Sequence, residues 1–137
     1  MNILTLSGLV ASQDLIIPVQ AQYYAMEGLK QLLDTYILVK NHYNEEIKIL
    51  GILLTMFEEG TALCQDVEEQ LRDYFGGLVF KSIINRNIRL AEAPSAGESI
   101  FTYAPDSDGA PDYLSLAREI LRDEAEIRSS EENFVNI

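Results

Sequence analysis

The run IKILGILLTMF, residues 47–57, constrains the fold more than any other stretch, because it is apolar at nearly every position. Successive side chains of a strand point to opposite faces, so a strand built from this run must hide both of them. That is the mark of a strand inside a parallel sheet with helices on either side, and it argues against a sheet with one wet face. At 137 residues, 47% of them apolar, the chain is long enough to supply one such core.

The remaining segments read as the other layers. Residues 3–12 are expected to form a short helix, and DLIIPV, 14–19, a strand stopped by its proline. In YYAMEGLKQLLDTYILVKNHY the residues Met26, Leu29, Leu32, Leu33, Tyr36 and Ile37 recur at the i, i+3, i+4 spacing of an amphipathic helix. A helix over 61–75 is expected to turn Leu63, Val67, Leu71, Tyr74 and Phe75 inward and to end at the Gly76–Gly77 pair. A strand over 78–84, a polar loop, the short segment SIFTYAP and a last helix from Ala110 follow. Strand and helix alternate throughout, which predicts an α/β fold with a mostly parallel sheet flanked by helices.

Composition narrows function by exclusion. A formal charge of −12 works against nucleic acid and anionic membrane at long range, so binding to either needs a local basic patch. The lone Cys64 excludes an intramolecular disulfide and reads as a small buried hydrophobe on an amphipathic helix. No Cys/His cluster has the spacing of a zinc site. The lone His42, in KNHYNEE, sits at the polar exit of a helix as a surface or cap residue, with no Cys or Ser beside it for nucleophilic catalysis. No catalytic and no metal-ligating residue is assigned. The segment MNILTLSGLVAS lacks basic residues and is too short and polar for an export signal or a membrane span, so a cytoplasmic location is expected. Near the C-terminus, Glu124 and Arg128 at i, i+4 suit a solvated helix end, while Phe134, Val135 and Ile137 read as a frayed tail or a small anchor.

The segment SIINRNIRLAEAPSAGES, 82–99, points to a site. An apolar strand leaves the core at Asn85 and gives way to a polar loop broken by proline and glycine. Open parallel sheets bind ligands beyond the carboxyl ends of their strands, where this loop lies.

Five blocks, LTLSGLVAS, LIIPVQAQYYAMEGLKQLL, ILGILLTMF, VFKSIINRNIRLAEAPSAGES and YLSLAREIL, stand in the order and near the spacing found in one family. Over about residues 1–122 the chain resembles the C-terminal half of the ParA/Soj chromosome and plasmid partitioning ATPases, and residues 123–137 form an acidic tail. The resemblance implies the fold of a deviant P-loop NTPase that binds ATP with magnesium and dimerises around the nucleotide. It also implies nonspecific DNA binding by that dimer and switching by a ParB-type partner. On the same grounds Arg86 and Asn87 lie on the adenine side of the nucleotide, with Thr55 and Met56 where the base would pack. The Asn87 amide can donate and accept, as an adenine edge requires, and an Asx-type turn cap accounts for it equally well. The resemblance further implies that Arg89, with Arg86 and Lys81, lies on the DNA-contacting face; surface ion pairing is the other reading of Arg89.

Several features depart from the family pattern. No glycine-rich phosphate loop bearing two lysines occurs in this chain, and SGLVAS and AGES lack both the lysine and the strand–loop–helix setting. The acidic Walker B segment is missing too, since the resemblance starts just after it. Gly60 stands where the family commonly has a basic residue; Ala96, Glu98 and Asp106 stand where it has lysine or histidine; Asn85 stands where it usually has proline. The chain alone is therefore expected not to hydrolyse ATP and to bind DNA weakly or not at all. Without the strand that leads to the phosphate loop, an apolar edge along DLIIPV or IKILGILL is expected to drive self-association or pairing with a complementing N-terminal half. Two functional readings follow. One is a truncated part of a ParA/Soj-like partitioning ATPase, nucleoid-associated when part of an active protein. The other is a non-enzymatic relative that binds and modulates a full-length ParA or a ParB-type partner. A MinD-like membrane-cycling ATPase shares the fold but ends in a basic amphipathic helix, in contrast to the acidic RDEAEIRSSEEN here, and no membrane partner is expected.

Overall fold

The computed structural model describes residues 2–135. In chain order the elements are α1 (Ile3–Ala11), β1 (Asp14–Gln20), α2 (Ala25–His42), β2 (Lys48–Phe57), α3 (Ala62–Phe75), β3 (Val79–Asn85), α4 (Ile88–Ala96), α5 (Ile100–Tyr103) and α6 (Gly109–Val135). Among the described residues the strands form one parallel sheet in the order β1-β2-β3. The α/β expectation holds, and the doubly apolar run is the central strand.

Both faces of β2 are covered, by different helices. Ile52 and Leu54 join Ile17, Val19 and Val79 against Leu29 of α2 and Cys64, Val67 and Leu71 of α3. Leu53 joins Phe80 and Ile84 on the opposite face, against Leu116 and Ile120 of α6. The glycine in this apolar run is a packing requirement: a Cβ on Gly51 would lie 2.5 Å from Phe80 Cζ. A third cluster, Leu9, Val39 and Ile47, seats α1 on the end of α2. Asn44 Nδ2 holds α1 there by donating to the carbonyls of Leu9, Val10 and Ser12.

The structure corrects several expectations. Strand β1 runs through Pro18 to Gln20 instead of stopping at the proline. The Ala21 N–H donates to Thr55 O at 3.1 Å, and alternation along the strand turns the Pro18 nitrogen to the free side, where no ladder bond is lost. Ile37, Leu63 and Tyr74 are exposed; the inward positions near them belong to Val39, Cys64 and Leu71. Tyr74 instead lies beneath the Lys30 ammonium, 5.6 Å from its ring centre. Most of the expected loop after Asn85 is helix α4, with Pro94 inside its last turn and Gly97 closing it in the left-handed conformation at φ 70°. Proline and glycine there end a helix, with Gly97 N–H donating to Pro94 O and Glu98 N–H to Ala93 O. Helix α6 starts at Gly109 and takes in most of the acidic tail; the readings of the Arg128, Phe134, Val135 and Ile137 side chains fall outside the described residues. No helix among the described residues is long and apolar enough to cross a membrane.

Candidate functional site

The carboxyl ends of β2 and β3 open onto a cavity of about 620 Å³ lined by Thr55, Met56, Ile84, Asn85, Arg86, Asn87, Leu90 and Tyr113, among others. Each lining group is placed by an element end. Thr55 and Met56 close β2, where Thr55 O accepts from Ala21 N–H and Met56 takes φ 53°. A methionine in the left-handed region is uncommon, and here it turns a half-exposed thioether side chain toward the cavity mouth. Asn85 ends β3 with its backbone N–H and its Nδ2 both donating to Asp112 Oδ2, at 3.0 and 3.3 Å. Asp112 is an acceptor there, so the Asn85 amide must present nitrogen to it; Asn85 Oδ1 is buried with no hydrogen-bond partner among the described residues. The Arg86 N–H donates to Phe57 O at 2.9 Å, which ties the ends of β2 and β3 together. Asn87 caps α4, its Oδ1 accepting from the Arg89 N–H at 2.9 Å.

Four residues read from the sequence as nucleotide-binding, Thr55, Met56, Arg86 and Asn87, thus line one cavity. Of the three basic residues read as DNA-binding, two are paired with carboxylates. Arg86 pairs with Glu58 at 2.8 Å. Arg89, on α4, lies 3.8 Å from Glu92, whose carboxylate also accepts from Tyr103 Oη at 2.7 Å. Lys81 sits mid-strand on β3, outside the cavity lining. Carboxylates beside two of three cations cancel much of the field a phosphate would feel.

Sequence reasoning missed a stripe of polar groups on α6 that runs along β3. Glu119, only 8% exposed, accepts from Lys81 N–H through Oε1 at 2.7 Å and from Ser82 N–H through Oε2 at 2.9 Å. Ser115 Oγ and Ser82 Oγ lie 3.0 Å apart, and Asp112 holds Asn85 as described. Burial pushes the Glu119 carboxyl up, but the Lys81 amide, the Ser82 hydroxyl and amide, and the Arg122 charge together hold it below the ordinary glutamate value of 4.5. The sequence does carry a signal for this stripe: Asp112, Ser115 and Glu119 fall at i, i+3 and i+7, beside the apolar row of Leu116 and Ile120. Among the described residues, no group of three or more His, Cys, Asp or Glu side chains is arranged to hold a metal ion.

Comparison with known proteins gives three kinds of likeness. A family model described as an AAA domain matches residues 1–49. Over 120 residues the chain is 48% identical to the sporulation initiation inhibitor protein Soj of Bacillus subtilis, covering 88% of this chain and 47% of that protein. Over 122 residues it is 44% identical to the chromosome partitioning protein ParA of Myxococcus xanthus, covering 89% of this chain and 43% of that one. The chain therefore spans about half the length of the curated relatives it matches. Among solved structures, a cobyrinic acid a,c-diamide synthase from Mycobacterium smegmatis with bound ADP and magnesium superposes with a TM-score of 0.68 at 30% identity, covering 88% of this chain and 42% of that one.

Proposed function

We propose that this chain, which is similar to the proteins Soj and ParA over about half their length, forms the base-side portion of an ATP-binding partitioning protein. The observation that carries this reading is the meeting of Thr55, Met56, Arg86 and Asn87 in one cavity at the carboxyl ends of β2 and β3. Ile84, Leu90 and Tyr113 give a purine apolar walls. Asn87 Oδ1 is engaged by the Arg89 amide, which leaves the Nδ2 hydrogens to meet a ring nitrogen. Phosphates and magnesium would be held by polypeptide other than residues 1–137, in the same or another chain, since no glycine-rich lysine loop occurs here. ATP hydrolysis then belongs to the assembly, as do nucleoid association and any response to a ParB-type partner. The pairing of Arg86 with Glu58 and of Arg89 with Glu92 supports weak or no DNA binding by this chain alone.

Titration of isotope-labelled chain with AMP tests the reading. Base contacts without phosphate contacts give millimolar affinity, roughly −4 kcal/mol, with signal changes centred on Thr55, Met56, Arg86 and Asn87. Adding the N-terminal half of a close relative should produce magnesium-dependent ATP hydrolysis, and Asn87→Ala should weaken nucleotide binding in that assembly. Hydrolysis by the isolated chain, or AMP changes remote from the cavity, would overturn the proposal. Failure of every complementing half would favour a non-enzymatic chain that modulates a full-length relative.

A further inference from the structure

Between β2 and β3 the strand register breaks. Ile52 partners Val79, Leu54 partners Ile83 and Phe57 partners Asn85, so β3 advances four residues while β2 advances two, then two while β2 advances three, a net gain of one residue in β3. Alternate amides of β3, the outer strand, face no strand in any register, a break in the ladder adds to them, and buried ones must find another partner. Here they do. The Glu119 carboxylate takes the amides of both Lys81 and Ser82, and Phe80 O accepts from Arg72 Nη1 at 3.3 Å. Arg72 is itself held by Glu68, which accepts from its Nε at 2.9 Å. Three consecutive residues of β3 are thus fixed by two side chains, one from α3 and one from α6.

The site begins three residues further on, at Asn85. Side chains alternate along a strand, so a slip of one residue exchanges what faces the cavity for what faces away. Seven residues before Glu119, on the same side of α6, Asp112 grips Asn85. Helix α6 therefore holds β3 at the register break and again at the cavity.

We propose that Glu119 is a positioning residue for the candidate base site: without touching the ligand, it fixes the irregular register of β3 that delivers Arg86 and Asn87 to the cavity. The inference rests on the reading of that cavity as a nucleotide-base site. Glutamine at 119 keeps the size but has one acceptor oxygen, so it cannot accept from both amides in the bidentate geometry.

The test compares amide spectra, hydrogen exchange and AMP titrations of the full chain and of Glu119→Gln. In the unsubstituted chain the Lys81 and Ser82 amide protons should lie downfield, as donors to a carboxylate do. In Glu119→Gln that displacement should be lost, exchange at Lys81 to Asn85 should quicken about tenfold or more, and AMP affinity should fall by a similar factor. Protection at Val39 and Leu71 should persist, which separates repositioning from unfolding. Unchanged AMP affinity with unmoved Arg86 and Asn87 signals overturns the inference and leaves the base-site reading standing. AMP that moves no cavity signal even in the unsubstituted chain overturns both. Should Glu119→Gln not fold, Arg72→Gln removes the other hold on the same break; the same direction of change, smaller in size, is expected, and no change in AMP affinity is the overturning result.

Discussion

The two outer edges of the sheet are finished in opposite ways. Along β3, α6 lays Asp112, Ser115 and Glu119 against the strand, and backbone amides that face no strand donate to carboxylates. Along β1 no strand and no such stripe lies on the free side among the described residues; Ile16, Pro18 and Gln20 are exposed. The surroundings differ as well. Asp14 is the one charged residue among 2–26, in a chain of net charge −12, and Ile3, Leu4, Val10, Tyr23 and Tyr24 of that stretch are exposed. An edge protected by buried polar contacts is a finished surface, whereas a neutral apolar edge has the composition of an interface. If further polypeptide pairs with this sheet, the β1 edge has the composition to receive it and the β3 edge does not.

The contrast breaks most easily on the β3 side. Glu119→Ala strands two backbone donors in a buried setting and should cost roughly 2–4 kcal/mol, read as a lowered midpoint in denaturant; a loss under about 0.5 kcal/mol would mean that water replaces the carboxylate at no cost. Gly51→Ala puts a methyl group against the Phe80 ring, whose nearest atom would lie 2.5 Å away, and overpacking of this kind costs about 1–3 kcal/mol. Acid should act on the same edge. The Glu119 carboxyl titrates below its ordinary value in the folded chain, so its contribution is fully present above the unfolded value near 4.5 and is lost as pH falls through the lower folded value. Thermal melts from pH 6 to pH 3 should therefore show an extra loss of stability that Glu119→Gln removes. The smallest change in stability, within about 0.5 kcal/mol, is expected from Ile16→Lys with Tyr24→Lys on the β1 side. That pair should abolish concentration-dependent light scattering, and scattering that persists would place the association elsewhere.

How much of this was legible depended on the range of the interaction. The apolar run 47–57 dictates a central strand through its own side chains, and Cys64 is buried by its place on a helix face, so both were readable locally. The cavity was readable because strand ends in a parallel sheet are ligand sites by geometry, and the NRN stretch leaves the sheet at that point. Helix α4 was hidden by Pro94 and Gly97, which resemble loop formers until the Asn87 cap and the left-handed closing residue are seen together. Ile37 and Tyr74 fit a helical period but stay exposed, Tyr74 meeting the Lys30 ammonium and the Phe75 ring edge. Glu119 was legible only as a polar residue spaced with Asp112 and Ser115 beside an apolar row; its partners lie 37 and 38 residues away, and a glutamate among Arg118, Arg122 and Asp123 looks solvated.

The stripe on α6 also bears on stoichiometry. A chain with two open strand edges can be extended at both ends without limit, as fibrils are. A chain with one edge sealed has a valence of one. Two copies of this chain joined β1 to β1 would present only their β3 edges outward, so self-assembly through that edge would stop at a pair, whereas a different polypeptide added there would bring an outer edge of its own.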